Sequence, residues 1–303
     1  MSIFFIADLH FDDENIMNYE SRPFSTAEEM NAAIIENWNR VVGKDDTVYL
    51  LGDIGNERYI SELNGIKILV KGNHDMYDSN YYRNNGFTEV YDLPVILDGF
   101  WMLSHEPLYV NKNMPYANIY GHIHNNPNYN DYSSHGYCVS VERIGYKPVS
   151  FEKIKSDVGE AVKMEKLLEL AIKVATEAHK DQVDKGGKPY IGHPTAVAAS
   201  VKDTDQKIAA YLHDVIEDTP ITADDLLNMG FTPKIVDSIK LLTKDKNVPY
   251  EEYLKNIRSD SVARAVKIAD LKHNMDLRRI PNPTEKDYAR LEKYKKALAF
   301  LEG

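Results

Sequence analysis

The first half of the chain alternates short apolar runs with clusters of turn residues. Ile3–Ala7, Thr47–Leu51, Ile66–Val70, Phe100–Leu103 and Asn118–Tyr120 have β-strand length, and turn residues follow them. Tyr137–Val141 and Pro148–Phe151 read as closing strands. Ser25-Thr26-Ala27-Glu28 has the form of a capping box and predicts a helix running to about Val42. From about Gly159 the period changes. Leu167, Leu168, Ala171, Ile172, Ala175 and Ala178 recur at helical spacing. Thr232-Pro233 supplies an N-cap and a first helical position, while Pro281 and Pro283 precede a last helix over about Thr284–Leu301. The charged segment Glu152–Gly159 predicts the junction, and with it two domains over 1–155 and 160–303.

Composition narrows the partners. A chain of 303 residues fits two domains, at roughly 100–200 residues each. A hydrophobic share of 43% and a charged share of 27% fit a globular protein. The net charge of −11 argues against bulk nucleic-acid binding and against anionic membranes. A small nucleotide or phosphoester remains compatible, because metal ions reverse the local sign of a pocket. The single cysteine, Cys138, forms no intrachain disulfide, which fits a cytoplasmic location, and Tyr137-Cys138-Val139 places it in the core. No apolar stretch reaches the ~18 residues of a membrane span, and the apolar start Ile3–Ala7 meets Asp8 too early for a signal peptide. Oligomeric state leaves no mark on the sequence.

Chemistry-bearing residues follow the apolar runs of the first half: Asp8-Leu9-His10, Gly52-Asp53, Gly72-Asn73-His74-Asp75, Ser104-His105 and Gly121-His122-Ile123-His124. Loops at strand carboxyl ends converge, so these side chains are expected to meet. Carboxylates, an amide oxygen and imidazoles suit Mn, Fe or Zn rather than an all-oxygen calcium site. Two such ions side by side clamp a phosphate and activate water.

These blocks, in this order over about residues 1–150, resemble the calcineurin-like metallophosphoesterases. The resemblance implies an α/β metallophosphoesterase β-sandwich flanked by helices. It implies two metal ions, one held by Asp8, His10, Asp53 and His124, the other by Asp53, Asn73, His105 and His122. His74 would stabilise the transition state or protonate the leaving group, with Asp75 orienting it. Gly52-Asp53 is followed by Ile54-Gly55-Asn56-Glu57-Arg58 rather than the Asp-Arg-Gly arrangement of the larger protein phosphatases. A small phosphoester is therefore expected in place of a phosphoprotein.

In the second half, His213-Asp214 and Glu217-Asp218 share one side of a helical turn, and Asp270 and Asn274 lie four apart. Three helices can bring His193, His213, Asp214 and Asp270 around one divalent ion such as Mn²⁺, with Glu217 and Asp218 beside it to handle water. Ala178–Gln182, Pro189–Pro194, Leu212–Thr219 and Val266–Met275 resemble an HD-type phosphohydrolase, and within that group the RelA/SpoT-type hydrolases and small alarmone hydrolases. The resemblance implies an all-α HD domain that removes pyrophosphate from the 3′ position of guanosine tetra- or pentaphosphate. Its metal ligands would be His193, His213, Asp214 and Asp270, its catalytic acids Glu217 and Asp218, and its substrate contacts Lys185 and Asn274. Two positions depart from that family. Asp184 stands where it usually has an arginine that packs on guanine, and Asp276-Leu277 where it often has Arg-Thr.

Other polar residues read as structural. His179 is expected to be a hydrogen-bonded histidine near the pocket, His273 a helix-surface or packing residue, and Lys244–Asn247 a solvated loop. The leading reading is a bifunctional metal-dependent phosphohydrolase. One alternative makes the C-terminal half a nucleotide-binding regulator of the phosphoesterase. Another makes the N-terminal half a metal-dependent nuclease or cyclic phosphodiesterase.

Overall fold

The computed structural model describes residues 1–111, 113–129 and 133–303. The chain divides into two compact units, Met1–Val162 and Lys163–Gly303.

Two sheets build the first unit. In one, β1 (Ile3–Ile6), β2 (Thr47–Leu50), β3 (Ile66–Val70) and β4 (Glu89–Tyr91) run parallel, in the order β4-β3-β2-β1. β5 (Val95–Leu97), β6 (Trp101–Leu103), β7 (Ala117–Tyr120) and β8 (Gly136–Cys138) make the other sheet, parallel from β6 to β8. β9 (Val149–Ser150) closes the first sheet antiparallel to β1. The runs read as strands contain strands, although Tyr137–Val141 keeps strand only to Cys138, with Val141 opening the helix Val141–Ile144, and Phe151 begins a helix; β4 and the wholly apolar β5 were not expected.

Strand alternation sends neighbouring residues to opposite faces. Phe5 and Val70 pack with Trp101, Leu103 and Ile119 of the second sheet, while Ile6 and Leu69 pack with Met30, Ile34 and Trp38 of the helix Ala27–Val41. That helix starts where its sequence predicts, but one residue out of the expected Ser25–Glu28 box: Thr26 Oγ1 accepts from Glu29 N at 3.2 Å, and Glu29 Oε2 accepts from Ser25 N at 2.8 Å. Cys138 is only partly buried, on a strand at the sheet edge rather than in the core.

The second unit is all helical, as expected. Its core joins Leu167, Ala171 and Ala175 to Val197, Ile208, Leu212, Val236 and Val266. Ile172 remains 39% exposed, so the helical stripe is narrower than the apolar pattern suggests. Thr232 caps Pro233–Leu242, and Thr284 caps Glu285–Glu302. Glu152–Gly159, read as the junction, lies within one continuous helix, Phe151–Ala178. Phe151, Ile154 and Val158 are buried with the second sheet, and burial at this spacing holds the segment helical despite its charges and Gly159. Among the described residues no helix is long and apolar enough to cross a membrane.

Candidate metal centres

In the first unit the ligand loops leave the carboxyl ends of β1, β2, β3, β6 and β7. Their backbones are unusual. Asp8, His10, Asp53, His122 and His124 all have positive φ, from 44° to 69°. L-residues pay for that conformation, and such strain clusters at functional sites. Gly52 permits the convergence. At φ +88° a Cβ would lie 2.4 Å from His105 Nδ1 and 2.6 Å from Gly72 Cα.

Asp8, His10 and His124 offer ligand atoms within 4.8 Å of one another, and so do Asp8, Asp53 and His105. The Asp53 Oδ2 atom is 3.6 Å from His10 Nε2 and 3.3 Å from His105 Nε2, so one carboxylate faces both groups. Asn73 Oδ1 lies 2.9 Å from His105 Nε2 and 3.1 Å from His122 Nδ1. All seven side chains expected to hold metal in this half are thus gathered at one place.

Contacts behind the rings set which nitrogen faces the site. His105 Nδ1 donates to Leu51 O at 2.8 Å, and His124 Nδ1 donates to Glu142 Oε1 at 3.0 Å. Neither acceptor carries a proton, so the proton sits on Nδ1 and Nε2 turns inward as a ligand. Arg22 completes this support. Fully buried, it bonds Glu142 and donates to the Asp8 and Leu9 carbonyls.

Crowded charge gives the site its electrostatics. Burial pushes the Asp8 carboxyl up to about 6. Burial lowers His10 to about 4. Against burial, the Asp53 and Asp8 carboxylates raise His105 to about 9. Among the described residues His10 Nε2 is buried without a hydrogen-bond partner, and such an atom normally has one. A divalent cation fits this donor set, satisfying the orphaned nitrogen and the paired carboxylates together.

His74 and Asp75 differ from each other. The His74 ring is 5.3 Å from that of His10, on an exposed residue at the edge of the cluster. Asp75 is buried, and its oxygens accept from the backbone N–H groups of Gly72, Asp53 and Ile54. Those bonds tie two ligand loops together, in place of the expected orientation of His74.

In the helical unit, His193 comes from Gly192–Ala199, His213 from the end of Thr204–Leu212, and Asp270 from Ser261–Asn274. Asp214 follows His213 directly. His193 Nε2 and His213 Nε2 face each other at 3.3 Å. Asp270 Oδ1 is 3.2 Å from the first, and Asp214 Oδ2 is 3.1 Å from the second. Ala210 O accepts from His213 Nδ1 at 2.7 Å. Four facing donors of this kind again fit a divalent cation.

His273 proves to be more than packing. Its Nδ1 lies 2.6 Å from His193 Nδ1 and accepts from Arg279 Nη1 at 2.9 Å. Burial and then the Arg279 charge lower it to about 4, so it stays neutral. His193 must therefore donate through Nδ1, which leaves Nε2 free. His179 matches its expected structural role, with Nδ1 2.8 Å from Gln182 Oε1.

A cavity of about 420 Å³ opens on this cluster. Glu217, Lys185 and Asn274 line it; Glu217 Oε2 accepts from Lys244 N at 3.0 Å, and Lys185 is paired with Asp287. Asn274 Nδ2 donates to Asp270 Oδ1, holding that carboxylate in place. Asp218 is not among the lining residues; burial, then Asp214 and Glu217, raise its carboxyl. Asp184 pairs with Arg279 at 3.0 Å. Lys244–Asn247 is the exposed loop expected, and Lys244 also lines the cavity.

Sequence reasoning missed Arg22, Glu142, His273 and Arg279. Only His273 left a usable signal, being three residues after Asp270 and so on the same helix face. The others act across separations such as the 120 residues between Arg22 and Glu142.

Residues 1–180 match the family described as calcineurin-like phosphoesterase, and 171–280 match the HD domain. The chain belongs to the calcineurin-like phosphoesterase family and carries an HD domain in its C-terminal half. An uncharacterized protein of Methanocaldococcus jannaschii is 36% identical over 168 residues, 50% of this chain and 88% of that protein. The guanosine-3′,5′-bis(diphosphate) 3′-pyrophosphohydrolase of Haemophilus influenzae is 37% identical over 116 residues, 34% of this chain and 17% of that protein. The bifunctional (p)ppGpp synthase/hydrolase SpoT of Escherichia coli is 38% identical over 124 residues, 36% of this chain and 18% of that protein. The chain therefore spans under a fifth of the length of these two hydrolases. Both families use divalent metals, which makes the chain a metal-dependent phosphohydrolase.

Proposed function

We propose that the chain is a bifunctional phosphohydrolase with a dimetal centre in the first unit and a single-metal centre in the second. The dimetal centre takes a small phosphoester, nucleotides included. The second centre takes a guanosine 3′,5′-bis(diphosphate)-type nucleotide and removes its 3′ pyrophosphate. The observation carrying the reading is that both clusters turn imidazole nitrogens and carboxylates toward one point, with other contacts fixing the rings from behind.

Asp8, His10, Asp53 and His124 hold one ion of the first centre, and Asp53, Asn73, His105 and His122 the other. His193, His213, Asp214 and Asp270 hold the ion of the second. Bound divalent ions supply Lewis acidity toward a phosphoryl oxygen and bring the acidity of water toward neutral pH. His74, at the open edge of its cluster, hydrogen-bonds a phosphoryl oxygen or protonates the leaving group. Asp75 keeps the Asp53 loop in place. In the second centre Glu217, anchored by the Lys244 amide, orients water. Asp218 takes its proton; a raised carboxyl is the stronger base.

The names of the two hydrolase relatives motivate the nucleotide. The charge at Asp184 does not oppose it, because Arg279 pairs with that carboxylate and lines the same cavity.

A Mn²⁺-supplemented panel of guanosine tetraphosphate, NADPH, cyclic nucleotides and bis-p-nitrophenyl phosphate tests this. Asp53→Ala is expected to abolish turnover of the model diester and leave guanosine tetraphosphate hydrolysis intact. Asp214→Ala should do the reverse. If neither variant loses any activity, both assignments fall.

A further inference from the structure

Two large apolar side chains stand in solvent just after His74: Met76 is 82% exposed and Tyr77 55%. Scattered apolar side chains are ordinary on a protein surface. These two are adjacent, and the structure fixes the segment that carries them. Asp75, which precedes them, is buried on three backbone N–H groups. Tyr77 N donates to Tyr82 Oη at 3.4 Å, and Asp78 caps the helix Ser79–Asn84. The Tyr77 ring lies 4.1 Å from that of Tyr81, centroid to centroid and tilted by 30°, with the buried Tyr82 edge-on to both.

This aromatic group belongs to the rim of the first metal cluster. His74 N donates to Asp53 Oδ1 at 2.9 Å. Tyr77 follows three residues later, so their Cα atoms are at most about 11 Å apart. The Tyr81 hydroxyl bonds Glu57, at the start of the segment Glu57–Glu62 that follows the Asp53 loop. The next residue, Arg58, pairs at 2.8 Å with Asp12, two residues beyond His10. The group is thus tied to the loops that carry His10, Asp53 and Asn73, on the side of the cluster where the His74 ring meets that of His10. In either role given to His74, the phosphorus–oxygen bond that breaks lies beside it. The alcohol beyond that bond then has Met76 and Tyr77 as neighbours. A flat aromatic ring gains most from such a surface, because tyrosine offers a stacking face and methionine a polarisable sulfur.

We propose that Met76 and Tyr77, backed by Tyr81, form a stacking platform that takes an aromatic ring, aryl or nucleobase, carried on the alcohol side of the phosphoester cleaved in the first unit. The platform rests on the reading of that unit as a phosphoesterase with His74 at the bond that breaks. It predicts selection for esters of alcohols that bear an aromatic ring over aliphatic ones of similar size.

Calorimetric titration of the Mn²⁺-loaded full chain with benzylphosphonate and with butylphosphonate tests the platform without turnover, since neither carries a phosphoester bond. Benzylphosphonate is expected to bind at least about tenfold more tightly. The phosphonate isosteres of AMP and of ribose 5-phosphate form a second pair, and a larger advantage there assigns the platform to a nucleobase rather than a simple aryl ring. Met76→Ala with Tyr77→Ala should remove both advantages, Met76→Leu with Tyr77→Phe should keep them, and Asp53→Ala should abolish them. The Mn²⁺ isotherm should be the same for the double alanine variant and the unaltered chain, whereas a merely structural loss would move it. In bis-p-nitrophenyl phosphate turnover the double alanine change should raise KM roughly tenfold and leave kcat nearly unchanged. Equal binding within both pairs overturns the platform and leaves the phosphoesterase reading standing. So does an advantage that survives the double alanine change or Asp53→Ala. Absence of all phosphonate binding together with absence of diester turnover in Mn²⁺ would instead overturn the reading of the first unit, and the platform with it.

Discussion

Glu142 Oε1 accepts from Arg22 Nε at 2.8 Å and from His124 Nδ1 at 3.0 Å, with all three side chains largely out of solvent. One carboxylate oxygen thereby joins a buried ion pair to a metal-facing histidine. Arg22 extends the connection to the Asp8 and Leu9 carbonyls, so the same pair braces two of the ligand loops.

Substitutions here separate metal positioning from folding. Glu142→Gln keeps the shape but can present its NH₂ to His124, and it is expected to weaken metal binding by roughly 10–100-fold. Arg22→Ala strands a buried carboxylate and should cost about 3–5 kcal/mol. Metal titration and urea unfolding read the two effects. Unchanged metal affinity in Glu142→Gln would remove the role given to Glu142.

Gly52 and Gly145 offer a paired test of backbone constraint. Both have positive φ, but a Cβ at Gly145 meets nothing within 4 Å, whereas one at Gly52 strikes His105 and Gly72. Gly145→Ala should cost about 1–2 kcal/mol, the ordinary expense of that conformation. Gly52→Ala should cost clearly more and abolish activity of the first unit, as seen by thermal unfolding and diester turnover. Equal costs would mean that the ligand loops tolerate displacement.

His273 should govern the second centre alone. Replacing it with alanine frees His193 to flip its proton, and metal affinity of the helical unit is expected to fall roughly 10–100-fold. Diester turnover by the first unit should not change. A normal metal isotherm for His273→Ala would refute the positioning role.

Proton linkage follows from His105 and His213. In each, burial lowers the imidazole but neighbouring aspartates outweigh it, and both stand at about 9 against an ordinary 6.5. A folded value above the unfolded one stabilises the metal-free protein fully below pH 6.5, and that contribution is lost as pH rises through 9. Urea midpoints in EDTA should therefore carry a contribution that declines between pH 6.5 and 9. Metal needs the neutral rings, so loading at pH 7 should release protons, and affinity should climb toward pH 9. Calorimetry in buffers of different ionisation enthalpy measures the release; identical heats across buffers would contradict it.

Much of this was legible in the residue order. Apolar runs of strand length preceded every ligand block of the first half, since a strand must bury one face and its end must turn. Ser25-Thr26-Ala27-Glu28 and Thr232-Pro233 marked helix starts because hydroxyl side chains satisfy free backbone N–H groups. The ligand sets were readable because metal chemistry restricts side-chain types strongly. Tertiary structure decided the rest. It carried a helix through Glu152–Gly159, because burial of Phe151, Ile154 and Val158 outweighs local charge and one glycine. It turned Asp75 onto three backbone amides and joined Arg22 to Glu142 and His273 to His193. Each of those depends on which distant segments meet, and hydrogen bonds and charges act over distances in space that spacing along a chain does not encode.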